Sequence, residues 1–238
     1  MVFSVSVYAQ NFEEDMNRTL EYYNKQSYIS ETRHLYYEEG NGNLIESHDV
    51  FMVRNKDKYH IRSYGTEEIV NSDYQVYINH NSKMIIVNDL KANKNDNDRK
   101  DLAEVKNAYS QFVQMMDEMS GVESKEKNKN YLVQYKGMKS GVKIYNLSIQ
   151  TGLSEFSDVE YHVSRRRGAL VRSIFTFRDE VEISSGLKKR VKVVIESRKF
   201  KRKKHINRKY FSSDDIFTKD KTGKLVLTEK YRDYSLLD

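Results

Sequence analysis

Hydrophobic positions in this chain follow two periods, and the switches between them divide it. Phe12, Met16, Leu20 and Tyr23 recur three or four residues apart, which predicts one amphipathic helix of about four turns. Asn11 stands where an N-cap is expected, and Glu14 follows it as in a capping box. From Glu31 to Asn88 the period drops to two in short runs, residues 32–38, 44–54, 58–64, 74–79 and 83–88. The connectors between them, such as Asn55-Lys56-Asp57 and Tyr64-Gly65, are too short for crossover helices and suit hairpin turns. After a polar stretch the helical period returns at Leu102, Val105, Tyr109, Phe112, Met116 and Met119, with Asn97 or Asp98 as cap and Gly121 as stop. A second alternating series follows at 131–135, 142–149, 156–163, 169–178 and 191–197, and the tail adds runs at 224–228 and 231–236.

The order helix, strands, long helix, strands predicts a mainly β fold with α. An antiparallel sheet of about ten to twelve strands tends to curl or close, and two amphipathic helices are available to cover its concave face. No break in composition separates domains, so residues 10–238 read as one domain, with 199–238 as a basic C-terminal extension.

At 238 residues the chain is long enough for one substantial core. It has no cysteine and no proline, which excludes disulfides, thiolate zinc sites, cysteine nucleophiles and proline-rich recognition segments. No stretch approaches the roughly 20 apolar residues of a membrane-spanning helix. Residues 1–9 are uncharged and mostly apolar, and end in Val7-Tyr8-Ala9, the small-residue spacing of a signal-peptidase site. They read as the remnant of a signal peptide, with Gln10 starting an exported, periplasmic chain. The same valine–serine alternation also fits a first β-strand.

Searching for catalysis yields little. The histidines at 34, 48, 60, 80, 162 and 205 form no His-Glu-x-x-His arrangement, and there is no nucleophile elbow, P-loop or dinucleotide fingerprint. His60 alternates with Lys58 and Arg62, so a solvated strand face is expected for it. The expectation is a protein that is not an enzyme, with no metal site and no cofactor.

Positive charge is concentrated in one segment. Between Lys188 and Lys209 stand 12 lysines and arginines against the single acid Glu196, a local balance of +11 in a chain of +6, so the remainder carries −5. Arg198, Lys199, Lys201, Arg202, Lys203 and Lys204 are its densest part, a candidate site for an anionic membrane surface or an acidic envelope protein. The plainer alternative is a solvated hairpin whose lysines protect a strand edge. A methionine group at Met115, Met116 and Met119 broadens the apolar stripe of the long helix; methionine adapts to irregular apolar ligands, though core packing explains the same stripe.

The opening helix at 11–26, the meander at 32–88, the helix at 98–120 and the run at 157–197, where Gly168-Ala169-Leu170-Val171 leads into strands ending Val191-Lys192-Val193-Val194-Ile195, resemble the periplasmic lipoprotein-carrier superfamily, the LolA-like and LolB-like proteins. The resemblance spans residues 11–198 and implies a half-open β-barrel closed by helices, with lipid acyl chains bound in its cavity. It implies a non-enzymatic carrier of a lipid or other apolar ligand, possible lipoprotein acyl chains included. Phe51, Val53, Tyr59 and Ile61 are its candidate wall residues, and Phe112, Met115, Met116 and Met119 line its candidate lid. The alternative is an envelope scaffold whose basic segment docks an acidic partner. Nucleic acid is disfavoured by export.

Overall fold

A computed structural model describes residues 4–24, 27–91, 131–149, 154–184 and 186–237. Its elements are the helix α1 (Ser4–Asn24) and fourteen strands: β1 (Tyr28–Glu38), β2 (Leu44–Asn55), β3 (Lys58–Ser63), β4 (Thr66–Val70), β5 (Tyr74–Asn79), β6 (Met84–Asp89), β7 (Tyr131–Lys139), β8 (Val142–Ile149), β9 (Phe156–Ser164), β10 (Leu170–Ser184), β11 (Leu187–Arg202), β12 (Phe217–Lys219), β13 (Leu225–Leu227) and β14 (Ser235–Leu237). Twelve of them form one sheet in the order β14-β6-β5-β4-β3-β2-β1-β11-β10-β9-β8-β7, which does not close; β12 and β13 pair apart. The predicted helix at 98–120 lies outside the described residues.

By packing, the described chain divides into two compact units. The first contains residues 4–24, 32–48 and the described part of 131–198; the second contains 27–31, 49–91 and 199–237.

In the first unit, strand alternation puts Tyr145, Leu147, Val159, Tyr161, Phe175 and Val193 on one sheet face, through the cross-strand pairs Tyr145–Tyr161, Leu147–Val159, Val159–Phe175 and Phe175–Val193. Helix α1 lays Phe12 and Met16 on that face. The Phe12 ring meets Tyr145 edge-on at 5.3 Å and stacks on Tyr161 at 6.2 Å. Burial of one such side chain stabilises by about 1.5–3 kcal/mol. Asp15, on the same helix turn and buried, accepts from Tyr145 Oη at 2.5 Å and Lys143 Nζ at 2.7 Å. This pins α1 to β8, and the burial that accompanies the pin, together with the Asp15 charge, pushes the Tyr145 phenol upward. The opposite face carries polar pairs on β8 and β9, where Ser148 bonds Asp158 at 2.8 Å and His162 meets Glu160 at 2.6 Å, and buries Val194 of β11 opposite Ile174 of β10.

The second unit is a hairpin ladder, β2 through β6. Gly65 closes the turn between β3 and β4 at φ +70°, where a Cβ would stand 2.6 Å from the Asn81 side chain. One face of the ladder carries Ile69, Val76, Ile78, Ile85 and Val87, and Ile216, Phe217 and Tyr231 of the C-terminal segment pack onto it. The segment also returns as β14, which pairs with β6 in parallel, Leu236 opposite Ile85.

Four expectations change. The sheet is mixed, not wholly antiparallel, because β14 arrives from the tail in parallel to β6. Helix α1 begins at Ser4, so Asn11 lies inside it and caps nothing; the helix continues through valines whose local preference is extended. β4 escapes the alternation because Glu67 occupies a position on the apolar side, opposite Ile78. The tail, read as an extension, supplies core side chains to the second unit.

Candidate functional site

The two-residue turn at Lys56-Asp57 sets the register of the second unit. With Asn55 opposite Lys58, Val53 faces His60, Phe51 faces Arg62, Met52 faces Ile61 and Arg54 faces Tyr59. Directly opposed residues share a sheet face. Phe51 and Val53 therefore lie on one side, Tyr59 and Ile61 on the other, and the four do not form one wall. Counting outward from the turn would have separated them; the alternation within each strand alone does not fix which strand face meets which.

The side holding Phe51 and Val53 is the one the C-terminal segment covers. Val53 is fully buried. Phe51 has the Arg62 guanidinium 4.6 Å from its ring centre and the Tyr210 ring 6.2 Å away. Both are thus engaged by the chain itself. His60 shares this face and, against expectation, is buried. The acid that explains it is Glu67 on the neighbouring strand, whose Oε1 lies 2.7 Å from His60 Nε2, off the line of a hydrogen bond. Glu67 Oε2 is 3.4 Å from His80 Nε2, and His80 Nδ1 is 3.0 Å from Tyr234 Oη. Burial pushes the Glu67 carboxyl up, but His60, His80 and Arg62 together outweigh it and hold the group below its ordinary value.

The opposite side is also apolar at its centre. Met52 and Ile61 are buried there, and the cross-strand pairs Tyr59–Val70, Ile61–Glu68, Glu68–Tyr77 and Tyr77–Ile86 extend it across β4, β5 and β6. Val70, Tyr77 and Ile86 are half-buried. Its polar group is compact: Tyr59 Oη and Gln75 Nε2 both donate to Glu68 Oε1 at 2.8 Å. Burial and the Glu68 charge push the Tyr59 phenol strongly upward, so it stays a neutral donor. Tyr28 adds to this side, its hydroxyl 3.6 Å from the Met52 sulfur and its ring 4.9 Å from Phe200. Of the candidate wall residues, Tyr59 and Ile61 lie on this side, together with Met52, Val70, Tyr77 and Ile86, which strand alternation alone does not single out. Phe112, Met115, Met116 and Met119 lie outside the described residues.

Two cations of the basic segment are held in ion pairs within the fold. Arg198 meets Glu196 at 3.4 Å, and Lys199 is bonded to Glu31. Lys201, Arg202, Lys203 and Lys204 are exposed at the end of β11 and just beyond it. The Lys203 amide donates to the Ser27 carbonyl at 2.9 Å, which fixes the backbone there.

No protein-family model and no curated protein sequence matches the chain. Among solved structures it is similar to an uncharacterized conserved protein from Thermus thermophilus, at 6% identity and a TM-score of 0.47 over 84% of this chain and 93% of that one. It is similar to the Mycobacterium tuberculosis lipoprotein LppX, at 9% identity and a TM-score of 0.40 over 83% of this chain and 98% of that one. A LolA superfamily protein from Nitrosomonas europaea matches at 8% identity and a TM-score of 0.34, over 85% of this chain and 97% of that one. LolA superfamily structures are thus among those this chain is similar to, as the order of its elements implied.

Proposed function

We propose that this protein is a non-enzymatic binder or carrier of a lipid or other apolar ligand in the bacterial envelope, and that the ligand lies on the Met52–Ile61 side of the second unit. One observation carries the reading: the hairpin ladder is apolar on one face and again at the centre of the other, whereas its C-terminal segment packs on the first. An antiparallel sheet with a single core ordinarily turns a polar face to water. Here Met52, Ile61, Val70, Tyr77 and Ile86 stand where polar residues would. Ligand sites are mostly apolar with a few placed polar groups, and the Tyr59–Glu68–Gln75 cluster has that character. Phe112, Met115, Met116 and Met119, by their spacing in the sequence, are candidates to touch the same ligand. Export from a signal ending at Ala9 belongs to this reading, and N-terminal sequencing of the protein from its native host tests it: a mature chain that keeps residues 1–9 removes export.

Neighbours on β6 test the site itself. Ile85 is fully buried on the covered face, and Ile86 is half-buried on the other. Ile85→Ala should destabilise by about 2–5 kcal/mol through lost burial and a residual cavity. Ile86→Asn should leave the denaturation midpoint nearly unchanged and weaken binding of a fluorescent fatty acid. Mass spectrometry of organic extracts from natively purified protein identifies the ligand. A parent protein that neither binds the fatty acid nor yields apolar material ends the proposal.

A further inference from the structure

The segment after Phe200 places Lys201, Arg202, Lys203, Lys204, Arg208 and Lys209 within nine residues, all of them exposed. Lys201, Lys203, Lys204, Arg208 and Lys209 form no ion pair with an acid among the described residues, in contrast to Lys199 on Glu31 and Lys189 on Glu38. Protection of a strand edge does not account for them. β11 ends at Arg202, so Lys203, Lys204, Arg208 and Lys209 lie past any edge they could protect.

Nor is the segment a loose tail. Phe200 is packed on Tyr28, Tyr210 on Phe51, and Phe211 is buried. Asn207 caps the 3-10 turn Arg208–Phe211, its side chain accepting from the Lys209 amide. The Asn71 amide side chain donates to the Phe211 carbonyl at 2.9 Å. The aromatic residues face inward, and the cations are held outward on a folded support.

We propose that residues 201–209 are a docking surface for an anionic lipid bilayer. Lysines predominate, and a lysine is a compact point charge suited to a diffuse layer of headgroup phosphates; recognition of a fixed carboxylate or phosphate pattern favours the arginine fork. Half-buried Ile206 stands between the two groups of cations, an apolar side chain at the level of the headgroups. Single-stranded nucleic acid is recognised by stacking on exposed aromatic rings, and the aromatic residues here are turned into the fold. This inference is independent of the ligand proposed above: docking concerns where the protein sits, and it holds or fails whichever ligand is bound.

Vesicle flotation and a partition isotherm test it, with vesicles of phosphatidylglycerol and phosphatidylcholine against phosphatidylcholine alone. The parent should bind the anionic vesicles and not the neutral ones, and should be released as added salt shortens the screening length from about 10 Å at 0.1 M to about 3 Å at 1 M. The variant K201Q/K203Q/K204Q/K209Q should lose about a thousandfold in partitioning. A control of equal net charge, K136Q/K139Q/K221Q/K224Q, removes four exposed lysines outside residues 201–209 and should stay within about threefold of the parent, since docking depends on charge held at this surface and not on net charge. Circular dichroism and the melting midpoint establish that both variants fold. Absent binding by the parent, equal losses in the two variants, or tighter binding to polyglutamate or to single-stranded DNA than to the vesicles overturns the proposal.

Discussion

Each unit buries one histidine on a strand, and the two are handled in opposite ways. In the first unit, His34 on β1 has only 3% of its surface exposed; its ring lies 5.3 Å from that of His48, and Thr32 Oγ1 is 3.3 Å from its Nε2. Burial, and secondarily the His48 charge, lower it to about 4. In the second unit, His60 on β3 is 8% exposed and lies against the Glu67 carboxylate, which the structure holds ionised. A buried ring beside a second ring refuses a proton. The His60 ring lies beside a carboxylate held ionised, and the contacts of that carboxylate continue through His80 to Tyr234. Acid should therefore find the two units at different pH values.

The largest effect expected is at His34. Its folded-state value lies below the unfolded value of 6.5, so the unfolded chain binds a proton that the folded one excludes. The stability this contributes is present above pH 6.5 and is lost as the pH falls towards 4. The loss between pH 7 and pH 4 should be about 3 kcal/mol. Denaturant midpoints measured across this window, for the parent and His34→Gln, check it. The variant should lack this part of the slope; an unchanged slope would assign the acid sensitivity elsewhere. Glu46, which lies 3.9 Å from His48, and Tyr36, whose ring is 5.4 Å from that of His48 and whose phenol burial and then Glu46 push up, are the other titratable groups at this cluster. Tyr36 stays neutral throughout the window.

Much of this architecture is legible in the sequence, for physical reasons that also set the limits. β8 at 142–149 and the start of β9 at Phe156 coincide with the alternating runs, because one face of each is buried and the other wet. β4 is not legible, since Glu67 interrupts the apolar side to meet His60 and His80 from other strands. The burial of His60 is hidden for the same reason: Lys58 and Arg62 make its strand look solvated, and both Glu67 and the covering tail come from elsewhere in the chain. The strand patterns put Tyr59 and Ile61 beside Phe51 and Val53 because each strand alternates correctly by itself, whereas the pairing across Lys56-Asp57 decides the face. Local patterns report burial, and register reports company.

In the second unit the expected effect is smaller. Glu67 is held below its ordinary value, so its contribution is present above about pH 4.5 and is lost as the pH falls through the lower folded-state value. Glu67→Gln keeps the shape and removes the negative charge that faces His60, His80 and Arg62. The variant should lose about 1–3 kcal/mol at pH 7, read as a shift in denaturant midpoint, and the parent–variant difference should close as the pH falls through the lowered folded-state value. A difference that persists undiminished in acid would mean that shape, not charge, is what Glu67 supplies.

The smallest effect lies where that cluster reaches the C-terminal segment. Tyr234 Oη and His80 Nδ1 are 3.0 Å apart, and the two rings meet edge-on with centres 6.0 Å apart. Tyr234→Phe keeps the ring contact and removes the hydroxyl. Because His80 is more than a third exposed, water can replace the lost partner, so the cost should be about 0.5–1 kcal/mol. Its location is more informative than its size. Tyr234 immediately precedes β14, whose Ser235 amide donates to the Lys83 carbonyl at 2.8 Å, so hydrogen exchange at residues 235–237 should quicken in the variant while exchange in β8 and β9 of the first unit stays as in the parent. Equal quickening in both units would show that the hydroxyl acts on global stability, and the two histidine clusters would then not be separable responses to acid.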